Sequence, residues 1–339
     1  MDIITIGSAT RDNFLELDYK IIKWSKTPLK KAIVFPLGEK LEVNKVFSTI
    51  GGNAVNASVT FSRQGFKTGC FGKIGDDLAG RELIEKLAKD NVVPNFAISK
   101  DEPTAYSVLL LKNGERTILG YHGASNTLCK NDIGWESLKS NWWYLSLAGQ
   151  SIELFKPLIE FAKQNNIKVA FNPSGYHIKN RRKEIMDSLK DLAFLVLNQG
   201  EAAELVKIPF YKEKEVFKKL DALMPGIVAV TNGPKGVTVS DGKYIYKAGI
   251  FKEEKLADRT GAGDAFGSGF VAGLIQQIRN LKLEIRNLPP KAVEYAIRLA
   301  TANATAVVEK IGATEGILTK EEFESSPRFK NLNIKIQSL

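Results

Sequence analysis

A chain of 339 residues, 44% hydrophobic and 25% charged, has the proportions of a globular protein with a large core and contains no apolar run long enough to cross a membrane. Its net charge of +10 comes from lysines spread among Glu and Asp; the densest basic runs, Lys30-Lys31 and Arg181-Arg182-Lys183, are short and free of aromatics, which argues against a nucleic-acid partner. Two cysteines without a CxxC pair exclude a disulfide framework and a structural zinc site, and an N-terminus without the features of a signal peptide completes the expectation of a cytoplasmic protein.

Met1 to Gly7 reads as a buried strand. Residues 13 to 49 are rich in β-formers and lack a long amphipathic helix. Gly51-Gly52-Asn53-Ala54-Val55-Asn56 then opens a helix expected to end near Gln64-Gly65. Asn53 and Asn56 lie three apart on one helical face, and amides that both donate and accept suit sugar hydroxyls. Capping by Asn53 and ordinary burial of Asn56 is the plain alternative. Asn56-Ala57-Ser58 and Asn303-Ala304-Thr305 match the glycosylation sequon, but both fall in helical, small-residue contexts and read as coincidence.

Ala105 to Leu111 and Arg116 to Leu119 predict a hairpin turning at Asn113-Gly114, a pair suited to the positive φ of a two-residue turn. Strands without helices of their own, in segments of about 13–49 and 97–122, predict a small β lid. From Asn141 onward, strand-length apolar runs alternate with helical patterns. The strands are expected at 141–147, 168–171, 194–197 and 227–230, and the helices at 152–164, 182–189 and 202–206. This alternation predicts an α/β fold: a central, mostly parallel sheet flanked by helices, with the lid added. Residues 1–339 read as one catalytic domain, and exposed strand edges on the lid favour a homodimer through it.

The strongest chemical signal is Asp258-Arg259-Thr260-Gly261-Ala262-Gly263-Asp264. Its glycines leave the backbone open to close approach, and the helix that follows offers free N–H groups and a dipole to an anion. A carboxylate there, Asp264, suits proton abstraction from an attacking hydroxyl; the plain alternative is an N-cap aspartate. Gly267-Ser268-Gly269-Phe270-Val271-Ala272 spells a dinucleotide fingerprint, but it falls inside the predicted helix and is rejected. The chain has no P-loop motif, and His177 reads as a surface loop residue.

The early glycine pair with Asn56 and the late Asp258-x-Thr260-Gly261-Ala262-Gly263-Asp264 together resemble the two signatures of the ribokinase-like carbohydrate kinases. Other segments follow in family order from Gly7 to about Gly316: Gly75-Asp76-Asp77 with Gly80, Asn198-Gln199-Gly200-Glu201, Thr231-Asn232-Gly233 with Gly236, and Gly312-Ala313. The resemblance implies ATP-dependent phosphorylation of a sugar hydroxyl, with Asp264 as base and the backbone around Gly261, Ala262 and Gly263 as anion hole. It assigns Asp12, Gly52, Asn53 and Asn56 to the acceptor. Glu201, Asn198 (through water) and Asp258 fall to Mg2+, and Asn198, Thr231, Gly233, Gly236 and Asn303 to the nucleotide. His122 stands where many relatives carry Arg, and a monovalent cation near the late motif is left open. A nucleoside is the alternative acceptor, with Phe14, Leu15, Trp24 and Phe35 as candidate walls for its base. From another class, an inactive ligand-binding relative is disfavoured by the intact Asp264, glycines, Asn198 and Glu201.

Overall fold

The computed structural model describes residues 1–27, 30–112 and 115–339. The first strand, β1 (Ile3–Gly7), is buried along its whole length. Four strands follow: β2 (Thr10–Glu16), β3 (Lys20–Lys23), β4 (Lys31–Val34) and β5 (Lys45–Gly51). Helix α1 (Asn53–Arg63), β6 (Thr68–Gly75), α2 (Leu78–Lys89) and β7 (Val92–Ser99) come next. The expected hairpin is β8 (Ala105–Lys112) with β9 (Glu115–Tyr121); its Asn113-Gly114 turn lies outside the described residues. The short α3 (Gly123–Asn126) leads to β10 (Trp142–Ser146), α4 (Phe155–Gln164), β11 (Lys168–Phe171) and α5 (Gly175–Ser188). Then come β12 (Phe194–Asn198), α6 (Gln199–Val206), α7 (Glu213–Leu223), β13 (Ile227–Thr231), β14 (Val237–Ser240) and β15 (Tyr244–Ala248). The chain closes with α8 (Ala262–Leu281), α9 (Pro290–Val308), α10 (Lys320–Ser325) and β16 (Ile334–Ser338).

Among the described residues, ten strands form one sheet in the order β16-β15-β14-β13-β12-β11-β10-β1-β6-β7. The run from β13 to β7 is parallel, and β14, β15 and β16 extend it antiparallel. Strands buried on both faces need apolar residues at every position, which is why β10 reads as an unbroken run. Trp142 and Tyr144 face a core shared with Phe61 of α1, Phe270 of α8 and Ile297 of α9. Trp143 and Leu145 face the opposite core, with Phe155 of α4, Ile185 of α5, Leu205 of α6 and Phe217 of α7. Helices α8 and α9 pack backbone to backbone: a β-carbon at Gly273 would lie 2.7 Å from Ala296 Cα. Of the rejected fingerprint's glycines, Gly269 serves the same helix contact, with a β-carbon 3.1 Å from Ala300 Cα, while Gly267 packs on Tyr144 and Val196 of the sheet.

The lid is a four-stranded sheet, β5-β2-β8-β9, beside the separate β3-β4 hairpin. It starts at Thr10, ahead of the expected segment, and β7 carries residues 97–99 into the large sheet. Pairing of Phe14 with Phe47 and Leu109, and of Asp12 with Thr49 and Ser107, sets Asp12, Phe14, Phe47 and Leu109 on one lid face. Leu15 packs on the other face with Leu17, Tyr19 and Leu110. Trp24 and Phe35 are 46% and 40% exposed next to the hairpin strands. Of the four expected base walls, only Phe14 shares the face of Asp12.

Two local readings need correction. Helix α5 begins at Gly175, seven residues before the expected start at Arg182, and carries a non-helical Arg181 (φ −130°). Its first turn holds His177, which is 0% exposed rather than on the surface. The His177 ring meets Phe155 and Phe171 edge-on, each with centroids 5.3 Å apart.

Candidate active site

The expected site residues gather where the parallel strands end at their carboxyl termini, the position at which open α/β sheets bind ligands. Gly7 is in register with Ser146, and Asn198 with Thr231; Asn172 follows directly after β11. Over these ends stand the N-termini of α1 and α8.

Glycines make both helix starts. Gly52 caps α1 at φ 95°, where a β-carbon would lie 2.5 Å from Ser8 O. Gly261 caps α8 at φ 78°, pressed against Ala313. Asp264 thus lies in the first turn of α8, where the dipole favours an anion. Asn56 Nδ2 donates to its Oδ2 at 2.9 Å, and Asn172 Nδ2 to its Oδ1 at 3.4 Å. Burial pushes the Asp264 carboxyl up to about 6; the Asn56 hydrogen bond opposes this and the charge of Asp12 adds to it.

Asp12 is buried on the lid and accepts from Thr10 Oγ1 at 2.8 Å. Its carboxyl is raised by burial, against hydrogen bonds from Thr10 and Ser107, with Asp258 raising it further. Gly51 leaves its space open, since a β-carbon there would lie 2.0 Å from Asp12 Oδ2. Asn53 is committed to the framework: its N–H donates to Ser8 Oγ at 3.0 Å and its Nδ2 to Ser146 Oγ at 2.9 Å. Asn56 keeps a buried carbonyl oxygen with no partner among the described residues, an acceptor available to a hydroxyl.

On the other side of the α8 N-terminus lies a cavity of about 550 Å3, lined by Thr231, Gly233, Gly236, Ala262, Gly263, Phe266, Thr301, Ala304 and Thr305. Apolar and small side chains with a few polar groups suit a nucleotide. Two cations, Arg116 from the lid and Arg259, also line it, and sequence reasoning missed both. Asn303, expected here, is elsewhere. It is 0% exposed, its Nδ2 donates to Ala265 O at 2.9 Å and Thr60 Oγ1 at 3.2 Å, and its Oδ1 accepts from Leu318 N at 3.0 Å. Those bonds tie α9 to α8, α1 and the 318 loop, leaving nothing for a ligand.

Asn198 and Glu201 form a reciprocal cap on α6: Glu201 N donates to Asn198 Oδ1 at 2.9 Å and Asn198 N to Glu201 Oε2 at 2.8 Å. Burial raises the Glu201 carboxyl against its Asn198 bonds. Its second oxygen lies outside this cap, and a Mg2+ held mainly by phosphates and waters needs only one or two carboxylates, so this pair fits. Asp258 fits less well. It is 1% exposed, and its oxygens accept from Thr260 N at 3.0 Å, Thr260 Oγ1 at 2.7 Å and Gly312 N at 3.4 Å, which shapes the approach to Gly261. Among the described residues, no group of three or more His, Cys, Asp or Glu side chains could hold a metal alone.

The remaining motif residues are structural or peripheral. Asp77 caps α2, accepting from Gly80 N at 2.8 Å and Thr104 Oγ1 at 2.7 Å. His122 is exposed ahead of α3. No described helix is long and apolar enough to cross a membrane.

Comparison with known proteins shows the family and the fold. The model of the pfkB family of carbohydrate kinases matches residues 17–320. The chain is 25% identical over 289 residues to the ribokinase of Lactococcus lactis, covering 84% of this chain and 87% of that one. It is 23% identical over 282 residues to the cytidine kinase of Thermococcus kodakarensis, covering 83% and 93%. The crystal structure of a Cryptococcus neoformans ribokinase in complex with ADP matches with a TM-score of 0.70 at 23% identity, over 95% of this chain and 98% of that one. The fold is the α/β architecture with a β lid seen in such structures.

Proposed function

Because the chain belongs to the pfkB family of carbohydrate kinases, we propose that it transfers the γ-phosphoryl group of ATP to a sugar hydroxyl, with Asp264 as general base. The carrying observation is the placement of Asp264 in the first turn of α8, held by two amides between Asp12 and the cavity. The acceptor lies against Asp12 and the carbonyl oxygen of Asn56. ATP occupies the cavity of Thr231, Gly233 and Gly236, with its terminal phosphate on the N–H groups of Ala262, Gly263 and Asp264.

Phosphoryl transfer has a loose transition state, so positioning and charge neutralisation provide most of the acceleration. Asp264 takes the hydroxyl proton as the oxygen attacks phosphorus and the bond to ADP breaks. The helix N-terminus, Arg116 and Arg259 stabilise charge on the moving group and the departing ADP. Mg2+, when bound beside Glu201 and Asn198, supplies further neutralisation of the phosphates. Closure of the lid, which carries Asp12, over the acceptor excludes water as a competing acceptor.

A nucleoside acceptor is the second reading. Its support is the Phe14–Phe47 pair, with ring centroids 6.0 Å apart on the Asp12 face, and the similarity to a cytidine kinase. The test is ADP release from Mg-ATP with D-ribose, D-fructose, 2-keto-3-deoxygluconate, adenosine, guanosine and cytidine, with Asp264→Asn as control. Sugar-dependent turnover that disappears in the variant supports the first reading. Turnover with nucleosides alone transfers the mechanism to the second, and undiminished turnover in Asp264→Asn removes Asp264 as base.

A further inference from the structure

Asn172 enters the reading above only as an amide beside Asp264, yet its main chain is pinned on both sides of its α-carbon. Its N–H donates to Leu145 O at 2.9 Å, and its carbonyl accepts from Ser146 Oγ at 3.0 Å. Main chain held this way at the end of β11 aims the side chain at Asp264, 3.4 Å away at Oδ1. Asn56 comes from α1 and takes Oδ2 at 2.9 Å. The two amides therefore hold different oxygens of one carboxylate.

A carboxylate turns about its Cβ–Cγ bond, and one donor on one oxygen leaves much of that rotation open. Donors on both oxygens fix the plane. Each oxygen still has a lone pair to spare, so fixing the plane also fixes where the free lone pairs point. The same serine that holds the Asn172 carbonyl accepts from Asn53 Nδ2 at 2.9 Å. Asn53, Ser146, Asn172, Asp264 and Asn56 thus form a polar ring closed through one turn of α1.

Resting on the reading of Asp264 as the base, we propose that Asn172 is a positioning residue: with Asn56 on the other oxygen, it fixes the plane of the Asp264 carboxylate so that a free lone pair meets the acceptor hydroxyl. The titratable groups facing Asp264 are Asp12 from β2 and Tyr144 from β10, while α1 and β11 contribute the neutral amides. Tyr144 is held neutral, burial first and then the Asp264 charge raising its phenol well above the ordinary range against an opposing hydrogen bond from Asn172. Its hydroxyl sits under the first turns of α8, 2.4 Å from where a β-carbon on Gly267 would be. Asp12 disfavours charge on Asp264 and the Asn56 bond favours it; an N–H donor from Asn172 at Oδ1 acts in the same direction as Asn56 by its geometry.

The test is an NMR titration of ligand-free protein labelled with 13C at the aspartate carboxyls. The Asp264 resonance is the one absent from Asp264→Asn. Removing an N–H donor to the charged form raises the midpoint, so Asn172→Ala is expected to move it up by about 0.5 pH or more. Asn172→Asp, equal in shape, adds a like charge and is expected to move it further, and it carries the test if the alanine variant does not fold. An unchanged midpoint in the folded variants overturns the proposal. The base reading falls separately, by turnover surviving in Asp264→Asn, and that outcome leaves the titration untouched.

Discussion

Asn56 and Asp264 are 208 positions apart in the chain, and the amide nitrogen of one lies 2.9 Å from a carboxylate oxygen of the other. This bond joins the N-terminal turns of α1 and α8, so the two sides proposed for the acceptor and the phosphate share one hydrogen bond. Asn56→Leu keeps much of the side-chain shape and removes both polar atoms. It is expected to lower kcat by about 10- to 100-fold, the scale of a misplaced catalytic group, and to shift the acid limb of the pH–rate profile upward. Steady-state kinetics from pH 5 to 8 check both.

The Asp264 carboxyl, raised to about 6 chiefly by burial, must be ionised to act as a base. Turnover is therefore expected to rise through pH 6 and level off above it. The stability sign is the reverse: a carboxyl whose folded value exceeds its unfolded 3.8 stabilises the fold fully below 3.8 and loses that contribution as pH rises through 6. Asp264→Asn is thus expected to cost about 10³-fold or more in kcat, to keep nucleotide binding, and to raise Tm at pH 8 but not at pH 3.5. Calorimetry at the two pH values and ADP binding by titration measure it.

Gly261 turns the chain into α8 at φ 78°, with Ala313 Cβ 2.5 Å from where its own β-carbon would be. Gly261→Ala meets both a disfavoured conformation and a clash, so a loss of about 1–3 kcal/mol is expected in urea unfolding. Because the same turn carries Asp264, kcat is expected to fall more than the lost stability accounts for.

Arg116 is the lid's cation in the cavity proposed for the nucleotide, and its buried Nε has no hydrogen-bond partner among the described residues. Arg116→Ala is expected to reduce kcat/KM for ATP by about tenfold or more, the scale of one charge-assisted hydrogen bond. Arg116→Lys restores charge but not the planar fork, and is expected to recover only part of the loss.

His177 lies between two phenyl rings with neither ring nitrogen paired among the described residues, and burial lowers its imidazole to about 4, Arg181 adding to the effect. A depressed folded value gives stability that is present above the ordinary 6.5 and lost as pH falls toward 4. His177→Leu is expected to flatten that decline. Urea midpoints at pH 7.5 and 5 for both proteins provide the comparison.

How much of this was legible depended on whether neighbours in space were neighbours in sequence. The α8 N-terminus was, because Gly261, Ala262, Gly263 and Asp264 are contiguous and their spacing states its own geometry. Asn172 and Arg116 were not: each stands alone in a strand end or strand of ordinary composition, and only the order of the sheets brings it to the site. His177 was misplaced because Arg181-Arg182-Lys183 hides the early, kinked turn of α5. Asn303 was misplaced by helical phase. Thr301, Ala304 and Thr305 reach the cavity, whereas position 303 turns into the α8 interface. Trp24 and Phe35 have the right chemistry for an apolar wall but lie around a hairpin outside the lid's main sheet.

The ring of Asn53, Asn56, Ser146, Asn172 and Asp264 also bears on how the protein is made. Its members emerge from the ribosome over more than half of the chain, and the last of them closes it. A nascent chain stopped before α8 carries two amides, Asn56 and Asn172, whose carboxylate partner does not yet exist. Pairings so distant in sequence are slow to form, since the intervening chain must be ordered before they contribute. On the proposed reading of Asp264, phosphotransfer competence is therefore expected only once α8 has been made and the ring has closed.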